Sequence, residues 1–183
     1  PQTVELLTEI TNACSRSELV IDVGGNIGWY TSWLASMGHR VISVEPFGLN
    51  MPLLMSTVCR NGMENLVDAF KVALLDEGDE DMCLMSSNKK INNGNAMLVP
   101  AWEGRKDFRG ERNQVCQERI RSMTLDHLLF LDPEGAHLSE RPLAMKMDIE
   151  GSETKALRGA KRLLAEYPPC FIFFEHQPLA TRK

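Results

Sequence analysis

Apolar positions recur along the chain with alternating helical and strand periods. Val4, Leu7 and Ile10 fall at helical spacing, so residues 1–18 are expected to begin with an amphipathic helix that closes one end of a core. Leu19-Val20-Ile21-Asp22-Val23 is a short run rich in β-branched residues that ends at glycines, the pattern of a strand buried on both faces. Beyond the glycines, Ile27, Tyr30, Leu34 and Met37 share one helical face, read as the inward one, and Gly38 is placed to end that helix. Residues 40–45 predict a second strand, and strand, glycine turn, helix, strand makes a βαβ unit with parallel pairing. The pattern continues with a helix opened by Pro52, carrying Leu54 and Val58 inward and stopped by Asn61-Gly62. A third strand is expected over residues 70–75.

The middle of the chain is less regular. Residues 82–85 and 115–121 can form strands, but 88–95 is a polar, glycine-containing stretch and 102–113 is crowded with both signs of charge. Residues 86–121 therefore read as an irregular surface insertion or lid, after a cofactor-binding half at 19–85. Regularity returns in 122–183. Thr124 caps a short helix, residues 143–148 form a fourth core strand, and Ser152 caps a helix whose Ala156, Leu157, Ala160 and Leu164 point inward. Pro168-Pro169 ends that helix, and Cys170-Phe171-Ile172-Phe173-Phe174 is a fifth strand closed by Glu175-His176. The fold class is α/β, a single domain over 1–183 with a mostly parallel sheet and helices on both faces.

Composition narrows the picture. A chain of 183 residues at 43% hydrophobic can bury a sizeable core. Its net charge of -5 argues against a nucleic-acid partner, leaving a small molecule as the expected one. No run approaches the length of a membrane span. The five cysteines are odd in number, widely spread and without metal-ligand spacing, which reads as free thiols in a reducing, cytoplasmic setting. Trp29, Trp33 and the ten methionines read as packing residues.

In an open parallel sheet, ligands bind beyond the carboxyl ends of the strands, so chemistry is sought at 22–28, 45–46, the turn after Leu75, 148–151 and 175–176. Gly24 and Gly28 let the backbone turn sharply and approach a ligand, and the new helix offers unpaired N–H groups. The glycines do not follow the dinucleotide pattern Gly-x-Gly-x-x-Gly, because Asn26 stands between them. Glu45 can accept hydrogen bonds from ribose hydroxyls, a device shared by several nucleoside cofactors, and Pro46 fixes the backbone just after it. Glu150 and Glu153 flank a helix start, where capping alone accounts for Glu153. Lys146 reads as a member of a buried ion pair and Asp126 as structural, and no arrangement demands a metal ion.

The segments Asp22-Val23-Gly24-Gly25-Asn26-Ile27-Gly28, Val44-Glu45-Pro46, Val72-Ala73-Leu74, Met123-Thr124-Leu125-Asp126, Lys146-Met147-Asp148-Ile149-Glu150-Gly151-Ser152-Glu153 and Phe174-Glu175-His176 together resemble the FkbM family of methyltransferases, in order and spacing. The family's first turn usually has Ala where this chain has Gly25, a departure expected to be harmless. The resemblance implies a Rossmann-like class I methyltransferase sheet and S-adenosylmethionine as cofactor. It also implies methylation of a hydroxyl on a sugar, glycolipid or polyketide-like molecule. Cofactor binding would fall to Asp22, Gly24, Gly25, Asn26, Gly28, Glu45, Pro46, Asp148 and Glu150. The base that removes the hydroxyl proton would be Asp148 or His176, with Glu175 beside it. Such sheets continue past the fifth strand, whereas only 177–183 remain here, so an incomplete sheet with an exposed edge prone to self-association is expected. The rival readings are a nicotinamide-dependent oxidoreductase and a non-catalytic binding module on the same fold.

Overall fold

A computed structural model describes Cys14 and residues 17–87, 96–101 and 114–174. The helix expected in residues 1–12, the stretches 88–95 and 102–113, and Glu175 and His176 lie outside these residues.

Strands β1 (Leu19–Val23), β2 (Arg40–Val44), β3 (Val67–Phe70), β8 (Ala144–Met147) and β9 (Phe171–Phe174) form the main sheet in the order β3-β2-β1-β8-β9. Every pairing within it is parallel. Strands β4 (Ala73–Leu74), β5 (Asp81–Ser87), β6 (Met97–Pro100) and β7 (Gln114–Met123) form a second sheet, ordered β4-β7-β5-β6, in which only the β4–β7 pair is parallel. Helices α1 (Trp29–Ser36) and α2 (Met51–Arg60) pack on one face of the main sheet through Ala35, Leu54 and Val58. Helices α3 (Leu125–Phe130), α4 (Glu153–Arg158) and α5 (Lys161–Glu166) pack on the other, where Leu19, Ile21, Val23, Met145 and Met147 meet Leu125, Leu129, Ala156 and Leu163. No described helix is long and apolar enough to cross a membrane.

Several expectations change. The third core strand is Val67–Phe70, and the apolar run after it belongs instead to the second sheet. An edge strand needs little apolar surface, whereas Ala73, Leu74 and Leu75 are apolar because they are buried where the two sheets meet. The stretch 86–121 is not simply irregular, since it supplies β6 and most of β7. Helix α1 turns Thr31 and Ala35 inward, while Ile27, Trp29, Tyr30, Trp33 and Met37 are about half exposed or more. Its aromatic residues are therefore not core. Nor are the cysteines free thiols: Cys14 pairs with Cys170 and Cys83 with Cys116, leaving Cys59 free. Disulfides persist in oxidising surroundings, so the reason for expecting the cytoplasm is removed.

The helix expected after Ser152 is two helices, and the Ser152 side chain makes no capping bond. The break falls at Gly159, where a Cβ would lie 2.2 Å from the carbonyl oxygen of Leu75. Glycine permits this close approach, and the Gly159 carbonyl accepts the Asp126 N–H at 3.0 Å. The Asp126 carboxylate in turn accepts the N–H groups of Arg162 at 2.7 Å and Leu163 at 2.9 Å, capping α5 from α3. Restarting the helix shifts its phase, so Leu163 is buried and Leu164 is not.

Replacing Asp126 with Ala should lower stability by about 1 kcal/mol, the usual cost of a lost cap. Urea unfolding checks this; an unchanged midpoint would mean that the two N–H groups find other acceptors.

Candidate functional site

Register places three polar side chains in one row near the carboxyl ends of the central strands. Asp22 of β1 pairs with Ser43 of β2 on one side and Lys146 of β8 on the other. Asp22 is fully buried, and its Oδ2 accepts the Thr31 hydroxyl of α1 at 2.7 Å. Thr31 and Ser43 share a 2.9 Å hydrogen bond. Lys146 Nζ stands 3.3 Å from Asp22 Oδ1, donates to the Gly24 carbonyl at 2.9 Å, and lies 5.1 Å from the centre of the Tyr30 ring. The buried ion pair expected of Lys146 is present, and it ties the first turn to β8.

Above this row the turn is built from alternate residues with positive φ: Gly24 at 84°, Asn26 at 50° and Gly28 at 88°. Asparagine tolerates this region better than other side-chain-bearing residues, which accounts for Asn26 between the glycines. A Cβ on Gly24 would lie 1.9 Å from the Asp148 carbonyl oxygen, so the turn and the end of β8 touch backbone to backbone. Gly24 and Gly25 both donate to the Val44 carbonyl, at 2.8 and 3.0 Å.

Glu45 is held by its own surroundings. Oε2 accepts the Asn26 N–H at 2.8 Å, while Oε1 accepts the Phe47 N–H at 2.9 Å and the Asn50 amide at 3.2 Å. Burial pushes its carboxyl above the ordinary value, opposed by those three donors and by the Lys146 charge. Three of its lone-pair sites are thus taken, both on Oε1 and one on Oε2, so Oε2 alone retains acceptor capacity toward a ligand. After β8, Glu153 Oε1 accepts the N–H groups of Ile149 at 2.9 Å and Gly151 at 3.2 Å, which shapes the turn carrying Glu150.

These elements enclose a cavity of about 310 Å³. Of the residues singled out from the sequence, Gly24, Gly25, Asn26, Glu45, Pro46, Asp148 and Glu150 line it. Asp22 and Gly28 are absent from its described lining: Asp22 lies beneath the turn, and Gly28 packs against Leu54. The Asp148 side chain is 44% exposed, with Oδ2 3.9 Å from Lys146 Nζ. Sequence reasoning missed Phe47 and Asn50, whose role depends on where Glu45 ends up, and the wall formed by Ala73, Leu74, Leu84 and Leu98 of the second sheet. Nothing local in the sequence marks those last residues as ligand-facing.

The family model described as the methyltransferase FkbM domain matches residues 22–183. A solved structure, the methyltransferase FkbM from Methylobacillus flagellatus KT, has the same fold with a TM-score of 0.52 and 22% identity. The match covers 84% of this chain, which spans 31% of that one. No curated protein sequence matches.

Gly25 is not a neutral departure from alanine in this chain. A Cβ there would lie 2.3 Å from Ser43 Oγ and 3.0 Å from Leu54 Cδ1, although its φ is not positive. Gly25→Ala should cost about 1–3 kcal/mol through overpacking. A double-mutant cycle with Ser43→Ala should show a smaller cost in that background; strictly additive costs would exclude the clash. A second expectation concerns pH. Because Glu45 is raised from 4.5, its contribution to stability is full below that value and is lost as pH rises through the folded pKa. Glu45→Gln should therefore compare least favourably with the parent in mild acid and gain on it toward neutrality, as followed by urea unfolding across that range. A gap that widened with pH would contradict this.

Proposed function

The chain belongs to the FkbM methyltransferase family, and from that premise we propose that it transfers a methyl group from S-adenosylmethionine to a hydroxyl of a sugar, glycolipid or polyketide-like molecule. The observation that carries this reading is the charge of the cavity. Glu45 and Asp148 bring acidic side chains to its lining, and Lys146, the one cation in its described lining, is shared between Asp22, Asp148 and the Gly24 carbonyl. Such a wall suits a ligand bearing a sulfonium and an ammonium group. It suits the two phosphates of a nicotinamide dinucleotide less well, which favours this reading over the oxidoreductase one.

The chemistry of the lining residues suits such a cofactor. Gly24 and Gly25 present bare backbone to the cavity, because Cβ atoms there would strike Asp148 and Ser43. Glu45, held in place by Asn26, Phe47 and Asn50, can take a ribose hydroxyl on the lone pair left on Oε2. The cofactor supplies an electrophilic methyl group whose transfer to oxygen leaves a neutral thioether. Asp148, half exposed at the cavity wall, either holds the cofactor's ammonium or accepts the acceptor's hydroxyl proton. His176 and Glu175 remain the other proposed participants in proton removal. Placing the acceptor oxygen in line with the transferring carbon accounts for much of the rate in this chemistry.

Calorimetry tests the proposal directly. Heat with S-adenosylmethionine and none with NAD is expected, and the reverse would overturn it. Incubation of candidate hydroxyl acceptors with isotopically labelled cofactor, read by mass spectrometry, then separates an enzyme from a module that only binds.

A further inference from the structure

We propose that Glu118, on β7 of the second sheet, is a positioning residue for the cofactor cavity, acting through the backbone of the loop that carries Glu45. Glu118 Oε2 accepts the Gly48 N–H at 2.6 Å, and Oε1 pairs with the Lys71 ammonium just after β3. One carboxylate thus joins β7, the end of β3 and the loop after β2. Gly48 is what allows the contact: a Cβ there would lie 2.8 and 2.9 Å from the Glu118 oxygens and 3.0 Å from Lys71 Nζ.

The same loop holds the cavity's ribose-facing groups. Phe47 N–H and the Asn50 amide both donate to Glu45 Oε1, and Phe47 N–H immediately precedes the Gly48 N–H that Glu118 accepts. Holding the Gly48 N–H orients the Phe47–Gly48 peptide, the unit directly after the one whose N–H meets Glu45, and so restrains the loop beside that contact. On its other side, Glu118 is the register partner of Leu84, a cavity-wall residue, and the two project from the same face of the second sheet. The bond consequently sets how closely the apolar wall stands to Glu45. The Lys71 pair alone would contribute little, because Lys71 is 46% exposed, whereas a carboxylate on a backbone N–H across 70 positions of chain is a stronger, directional link.

The inference uses the S-adenosylmethionine reading for its probe, so the experiment has two arms. Calorimetric titration with S-adenosylhomocysteine is compared for the parent, Glu118→Ala, Glu118→Gln and Lys71→Met, with thermal melts alongside. Loss of one charge-assisted hydrogen bond should weaken binding by about tenfold in Glu118→Ala. Glu118→Gln should stay close to the parent, because its carboxamide oxygen still accepts the Gly48 N–H, and Lys71→Met should also stay close. Equal affinity in folded Glu118→Ala and the parent overturns the proposal, whatever the melts show. If the parent does not bind the probe, the cofactor reading fails, and hydrogen exchange decides the inference by itself. Glu118→Ala should lose protection at the Phe47 and Gly48 amides and Glu118→Gln should retain it; unchanged protection in Glu118→Ala overturns the proposal.

Discussion

A fully buried carboxylate governs the centre of this molecule. Asp22 has no access to water, and a charge so placed is costly unless paired and hydrogen-bonded. Its partners come from three different elements: Thr31 from α1, Lys146 from β8, and Ser43 of β2 through Thr31. Because removing one partner would strand the others, the relative placement of β1, β2, β8 and α1 is constrained at a single point. Lys146 carries the constraint upward, since its donated bond goes to the Gly24 carbonyl of the turn above, leaving its contact with Asp22 Oδ1 as an ion pair without a hydrogen bond.

Much of what failed to read correctly from the sequence follows from that row. Helix α1 looked amphipathic with its large residues inward, but a helix that must deliver Thr31 to Asp22 faces the sheet with Thr31 and Ala35 and turns its aromatic residues out. Gly25 looked interchangeable with alanine, but Ser43, bonded to Thr31, occupies the space a methyl group would need. In both cases the expectation, from hydrophobic periodicity for the helix and from the family's usual residue for Gly25, was overridden by a buried polar group whose partners are distant in sequence. The disulfides were illegible for a related reason. Cys14 and Cys170 are 156 positions apart, and no spacing rule signals such a pair.

What could be read was whatever is buried on both sides or stands at a strand end. Strands β1 and β2 announce themselves because short, mostly apolar runs rich in β-branched residues are bounded by turn signals, and β8 because its methionines alternate into the core. Seven of the residues chosen for cofactor binding line the cavity because a parallel sheet brings its carboxyl ends to one edge. The part of the wall that comes from the second sheet lacked that logic. Leu84, Leu98 and Leu74 are ordinary strand leucines until tertiary packing places them on the wall of the cavity that Glu45 also lines.

The two sheets thus contribute different chemistry to one cavity. The main sheet brings carboxylates and bare glycine backbone, while the second brings apolar surface and the Glu118 tie to the Glu45 loop. Helix α1 completes the rim. With Thr31 committed inward, Trp29 and Tyr30 at its first turn are forced to the cavity wall, where Trp29 remains 76% exposed. An eight-residue helix without a single charged side chain is unusual on a surface, and here it has a cause: the residues that flank the cavity and those that anchor the turn are neighbours on the same helical turn. The constraint that seats Asp22 therefore also decides which side chains an incoming molecule first meets.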